Sequence, residues 1–322
     1  MKNNRLAFIL IGILAIAILA GGAYIYTGTS DKNLSSEKEG KKKKKSKKDK
    51  AEPVESTESA DCFGGTPTAQ QIWELPKKLL EVSGIAWLGS SKVAMVQDQL
   101  GTIFIYDMAA KKVERKLPFG PNGDYEGIAN VGGTFYVVRS DGNLFEISSS
   151  GKLIKQHQLG LTTTDNIETL HHDAQNNRLI LGQKDGKKGA TEKHFYSFDL
   201  KSKQMAAAPI FSIRLDDPIV SCENVQQETG KKKGKKKSGG SVIRPSELAI
   251  HPTTKEIYIA DGPNQRILIL TSGFTPKHYL SVDKKEFPQV EGLMFSPQGE
   301  LYISTEGIKE PAKLAKMQLG SK

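Results

Sequence analysis

The chain has 322 residues, 37% of them hydrophobic, with 46 Lys and Arg against 36 Asp and Glu and a formal charge of +10. All of that excess lies in two tracts, Lys41–Lys50 and Lys231–Lys237, without which the chain is close to neutral. Neither tract is interleaved with aromatic residues able to stack on bases, which disfavours nucleic acid, and two Cys without a Cys-x-x-Cys spacing cannot form a zinc site by themselves.

Residues 1–5 form a short flank carrying Lys2 and Arg5. From Leu6 to Tyr26 no charge occurs and Ile, Leu and Ala dominate, a run long enough to span a bilayer. A cleaved signal peptide is the competing reading, with Ala20 and Gly22 as a weak cleavage site. Because the apolar run continues through Tyr24, Ile25 and Tyr26, the spacing predicts an uncleaved transmembrane anchor at 6–26. No Cys follows it, which argues against a lipoprotein. Residues 27–66 are Ser, Glu, Lys and Asp with almost nothing apolar, so this segment is expected to be a disordered tether.

The remaining chain, 67–322, repeats itself. A small or acidic residue, then Gly or another small residue, then an apolar run recurs at Ser83-Gly84-Ile85, Glu126-Gly127-Ile128, Glu168-Thr169-Leu170, Glu247-Leu248-Ala249 and Glu291-Gly292-Leu293. The steps are about 42–44 residues except one, which holds a Lys/Gly-rich insert at about 221–241; such a period with several short strands per unit is the signature of a β-propeller. A second beat follows each first one: Asp98, Asp141, Asp185, Asp261 and Glu306, four of them followed by Gly. Asp-Gly between apolar runs reads as a hairpin turn, where Gly supplies the positive φ. The predicted fold is an all-β, five-bladed propeller. Its fifth unit lacks an outer strand, which Ile72–Leu75 is expected to supply so that no blade edge stays unpaired. A β-sandwich has no reason to repeat one phrase five times.

In a propeller the first strand of each blade lines the central channel. Ser83, Glu126, Glu168, Glu247 and Glu291 therefore converge on one mouth, where Gly after three of them suits a crowded axis. Four carboxylates gathered there repel one another, so either some are protonated or a cation neutralises them. A hard divalent ion is the natural partner, and calcium tolerates irregular oxygen coordination. Glu126, Glu168, Glu247 and Glu291 are the expected ligands, with Ser83, Asp124, Asn166, Asp141, Asp261 and Glu306 as further candidates; Tyr125 and Asp165 lie just upstream. The competing reading is that each Glu caps backbone groups or pairs with a nearby Lys. No Gly-x-Ser-x-Gly elbow, Walker loop or His-Glu-x-x-His occurs. His171 and His172 are adjacent, so on a strand they face opposite sides, and each His is expected to be structural. Cys62 and Cys222 flank the two basic tracts and, in an exported protein, can form one disulfide.

The phrases Glu81-Val82-Ser83-Gly84-Ile85-Ala86, Gln97-Asp98-Gln99, Asp124-Tyr125-Glu126-Gly127-Ile128, Ser140-Asp141-Gly142-Asn143-Leu144, Pro245-Ser246-Glu247-Leu248-Ala249-Ile250-His251-Pro252 and Ile303-Ser304-Thr305-Glu306-Gly307 resemble the SdiA-regulated (YjiK-like) family. These are bacterial five-bladed propellers distantly similar to NHL-repeat proteins. The resemblance runs from Ile72 onward and implies a calcium-binding propeller without an established biochemical activity. It also implies a propeller outside the cytoplasm, whereas a mechanical count of Lys and Arg around the anchor would place it inside. The reading adopted is a single-pass protein of the cell membrane with its propeller at the cell envelope, acting as a calcium-binding scaffold or binding module. The alternative is a calcium-dependent, lactonase- or esterase-like hydrolase, because gluconolactonase-like propellers hold a catalytic calcium at the same end of the channel. The Lys tracts are either solvated spacers or attracted to anionic lipid or polymer.

Overall fold

The structure, a computed structural model, describes residues 62–222, 242–307 and 309–320. The expected anchor, nearly all of the tether and most of the Lys/Gly-rich insert lie outside the described residues. Strand β1 (Thr68–Glu74) precedes the first repeat. Blade 1 is β2 (Val82–Gly89), β3 (Lys92–Gln97), β4 (Thr102–Asp107) and β5 (Lys112–Pro118). Blade 2 is β6 (Tyr125–Val131), β7 (Thr134–Arg139), β8 (Asn143–Ile147) and β9 (Leu153–Gln158). Blade 3 runs β10 (Ile167–Asp173), β11 (Arg178–Gln183) and β12 (Glu192–Asp199), with its outer edge split between β13 (Gln204–Met205) and β14 (Phe211–Arg214). Blade 4 is β15 (Glu247–Ile250), β16 (Ile257–Asp261), β17 (Arg266–Leu270) and β18 (Pro276–Ser281). Blade 5 has β19 (Val290–Phe295), β20 (Leu301–Thr305) and β21 (Lys313–Gln318).

The fold is the five-bladed propeller that the repeat predicts. β1 pairs antiparallel with β21, setting Ile72 opposite Ala315 and Trp73 opposite Leu314, so the chain's first strand completes its last blade. That satisfies an edge which would otherwise expose a row of backbone donors and acceptors. The apolar residues form five clusters, each between successive blades, including one that joins blade 5 to blade 1 through Trp73, Ile85, Met95, Tyr302 and Leu314. Alternation along each strand explains this, since residues two apart share a face and each sheet is covered on both faces. Residues 57–322 make one compact unit that holds every blade and the closing strand. Every described strand finds its partners within this unit, and a compact unit with its own core can fold alone.

Ahead of β1 the chain follows the outer edge of blade 4: Tyr279 N donates to Cys62 O, and Gly64 N to Tyr279 O. Cys62 and Cys222 are disulfide-bonded there, with Cα atoms 6.5 Å apart. The Asp-Gly turns behave as expected in part. Gly142 takes φ +80° in a tight hairpin and Gly186 takes φ +141°. Gly262 has no positive φ; a Cβ there would sit 2.3 Å from Val290 O, and Gln265 adopts the left-handed conformation instead, at φ 48°. Close approach, and not turn geometry, requires glycine at that position.

Candidate functional site: an acidic channel mouth

The inner strands β2, β6, β10, β15 and β19 neighbour one another in ring order, with β19 against β2. Their first residues gather at one mouth of the channel. Small residues make the approach possible: a Cβ on Gly84 would lie 2.7 Å from Glu126 O, and one on Gly127 2.6 Å from Leu170 Cβ.

Each leading residue then meets different partners. Glu247 is 1% exposed, and its Oε1 accepts from Leu248 N at 2.9 Å and from Leu170 N of blade 3 at 3.0 Å. Its Oε2 is buried and has no hydrogen-bond partner among the described residues. Glu168 Oε1 accepts from Asn166 Nδ2 at 2.9 Å, and its Oε2 binds the Lys184 ammonium. Glu291 Oε2 lies 3.8 Å from the same Nζ, while its Oε1 is buried and has no hydrogen-bond partner among the described residues. In blade 1, where Ser replaces Glu, Ser83 Oγ donates to Asp98.

The electrostatics follow from this crowding. Burial, reinforced by Glu168, Asp98 and Asp124, pushes the Glu126 carboxyl up to about 11. Burial also raises Glu168, to about 8, with Lys184 opposing and Glu291 adding to the rise. Glu306 rises to about 7 through burial and the neighbouring Glu291 and Asp98. Glu247 and Glu291 are raised chiefly by burial. Burial disfavours the Lys184 charge, but Glu291 and Glu168 outweigh it and hold the ammonium above its ordinary range. Protons and one lysine thus share the neutralisation of the ring.

Lys184 is the residue that sequence reading missed. The signal was weak: it occupies the place just before the second-beat acid, where the other blades carry Gln97, Ser140, Ala260 and Thr305. The further candidates divide. Asp98, Asp185 and Glu306 couple electrostatically to the ring. Asn166 bridges Glu168 and Asp185, and Asp124 Oδ2 accepts from Ser140 Oγ at 2.5 Å. Asp141 instead forms a bidentate pair with Arg139, which holds its carboxyl below the usual range. Asp261 is fully buried against Arg266, with Oδ2 2.7 Å from Nε. Both carboxylates are consumed by guanidinium partners, so neither belongs to the mouth. Among the described residues no three His, Cys, Asp or Glu side chains are gathered closely enough to hold a metal ion as they stand.

No family model matches the chain, and no curated protein matches it. Among solved structures it is similar to the glutaminyl cyclase of Myxococcus xanthus, with 13% identity, 79% of this chain and 96% of that one covered, and a TM-score of 0.53. It is also similar to a luciferin-regenerating enzyme, with 14% identity, coverage of 80% and 97%, and a TM-score of 0.48. At such identity the likeness is one of fold.

The raised carboxyls make stability depend on pH. Glu126, Glu168 and Glu306 hold protons in the folded state at pH values where the unfolded chain has released them, so stability falls as pH rises. His171, His172 and His251, all lowered by burial, act in the opposite sense, but only below their unfolded value of 6.5. Between pH 6.5 and 8 the carboxyls act alone, and in chelator stability should drop by roughly 1–3 kcal/mol. Urea titrations at the two pH values measure this; a flat or rising profile would show that the ring carries no such protons.

Proposed function

We propose that the protein is a membrane-tethered binding propeller whose acidic mouth takes up calcium through Glu126, Glu168, Glu247 and Glu291. The observation that supports this reading is the pair of buried, unpartnered carboxylate oxygens, Glu247 Oε2 and Glu291 Oε1. A buried polar atom left without a partner costs about 1–3 kcal/mol, more if charged. Lys184 supplies a single positive charge to several carboxylates, so the donors are hard oxygens in excess, the set calcium prefers. Bound there, the ion would supply charge neutralisation and rigidity at the axis, with Lys184 as its counterpart when calcium is absent. The run Leu6–Tyr26 would anchor the chain, with the propeller at the cell envelope. Cys62 is bonded to Cys222, and the lysines of the tether and of the insert would be attracted to anionic lipid or polymer.

Thermal melting with calcium and with chelator tests the metal. Calcium should raise the melting temperature of the wild type by mass action. Glu247→Gln keeps the Oε1 acceptor for Leu170 N and Leu248 N but places an amide where Oε2 faces the other carboxylates. It should lose most of the calcium response while melting no lower than wild type in chelator. A wild-type midpoint indifferent to calcium would end this reading.

A further inference from the structure

The channel has a second mouth, at the far ends of the inner strands, and its chemistry is the reverse of the first. A cavity of about 340 Å³ opens there, bounded by Ile85, Trp87, Leu170, Ile250, Phe295 and His171 among others from all five blades. Among the described residues no Asp, Glu, Lys or Arg lines it. We infer that this mouth is a binding site for a small, uncharged, largely apolar molecule carrying one hydrogen-bonding group, which His171 receives.

Size, wall and polar group each constrain the occupant. The volume lies within the range of small-molecule sites, near its lower end. It suits a ring system or a short branched chain better than a peptide. A charged ligand would have to shed its hydration against walls that hold no counter-ion, which is prohibitively unfavourable. The polar groups on the wall are few. Asn130 is occupied, its Nδ2 donating to Trp87 O at 3.3 Å and its Oδ1 accepting from Gly133 N at 3.0 Å.

His171 differs from Asn130. It lies deep in the molecule yet keeps surface open to the cavity, and no hydrogen bond is made to its imidazole among the described residues. Burial, with His172 adding to it, lowers the ring to about 4, so the imidazole is neutral at physiological pH and presents one donor and one acceptor. His172, expected on the opposite side of the strand, borders the same cavity. Neither residue serves the acidic mouth, so this inference stands apart from the calcium reading.

The test uses the 57–322 unit and the uncharged fluorophore N-phenyl-1-naphthylamine as probe. Its fluorescence should rise saturably with one site per chain, and tryptophan emission should fall by energy transfer, since Trp87 lines the cavity and the chain has only two Trp. Ala174→Trp and Pro297→Trp each place a bulky ring at an exposed position on the rim. Either should weaken the probe at least tenfold while leaving the melting transition cooperative, and if one fails to fold the other decides. Uptake without saturation overturns the inference, as does unchanged affinity in a folded rim variant. Exclusion of the probe together with a dimer in solution also overturns it and identifies a second copy of the chain as the occupant.

Discussion

Arg266→Met should lower the stability of the propeller by roughly 3–5 kcal/mol, the cost of stranding one half of a buried ion pair. Arg266 is 1% exposed and Asp261 is fully buried, with Nε and Oδ2 2.7 Å apart. The guanidinium also donates to Cys222 O at 2.9 Å and lies over the Tyr279 ring, 4.1 Å from its centroid. It therefore joins blade 4 to the segment that carries the disulfide. Without it, Asp261 keeps hydrogen bonds from Asn264 Nδ2 and Arg244 N but no ion-pair partner among the described residues, Lys193 acting only from a greater distance. The double variant Asp261→Leu/Arg266→Met should recover much of the loss, because no stranded charge remains. Urea midpoints at constant m-value measure both. A single-variant loss below about 1 kcal/mol would show that solvent or a shifted side chain already compensates Asp261.

Lys184→Met should have the second largest effect, and one that depends on pH and on calcium. At pH 8 it removes the cation that meets Glu168 and Glu291, at a cost of about 3 kcal/mol by analogy with other broken buried pairs. At pH 5 the cost should shrink, since Glu168, raised to about 8 and partly ionised at pH 8, is then protonated in the folded state and needs no cation. Met keeps most of the apolar stem, so packing changes little. Calcium should stabilise this variant more than the wild type, because the ion then meets no competing ammonium. Melting curves of both proteins at pH 5 and 8, with calcium and with chelator, separate these terms. An equal loss at both pH values would mean that Lys184 acts through packing and not through charge.

The acidic mouth was legible in outline and illegible in its partners. Glu126, Glu168, Glu247 and Glu291 begin equivalent strands, and a repeat necessarily brings equivalent positions to one axis. What each carboxylate touches obeys no repeat. Glu247 caps the backbone of blade 3, while Glu168 and Glu291 share Lys184. Backbone capping and lysine pairing, the two parts of the competing reading, therefore both occur in one ring. Asp141 and Asp261 carried the same sequence signal as Asp98 and Glu306. Arg139, two residues before Asp141, and Arg266, five after Asp261, drew those carboxylates out of the site.

Blade number and closure of the ring by β1 were determined by the sequence alone, and the Cys62–Cys222 bond was offered there as one of two outcomes. Each rests on something a linear chain displays: a period, an edge that must be paired, and two cysteines placed at the borders of charged tracts. Tertiary structure alone decided the neutralisation by Lys184, the buried Asp261–Arg266 pair and the apolar second mouth. The Lys184–Glu291 contact and the second mouth depend on how side chains of different blades meet around the axis, and the Asp261–Arg266 pair on the register of one hairpin in blade 4. A repeat states which residues are equivalent; only packing around the axis states which of them meet.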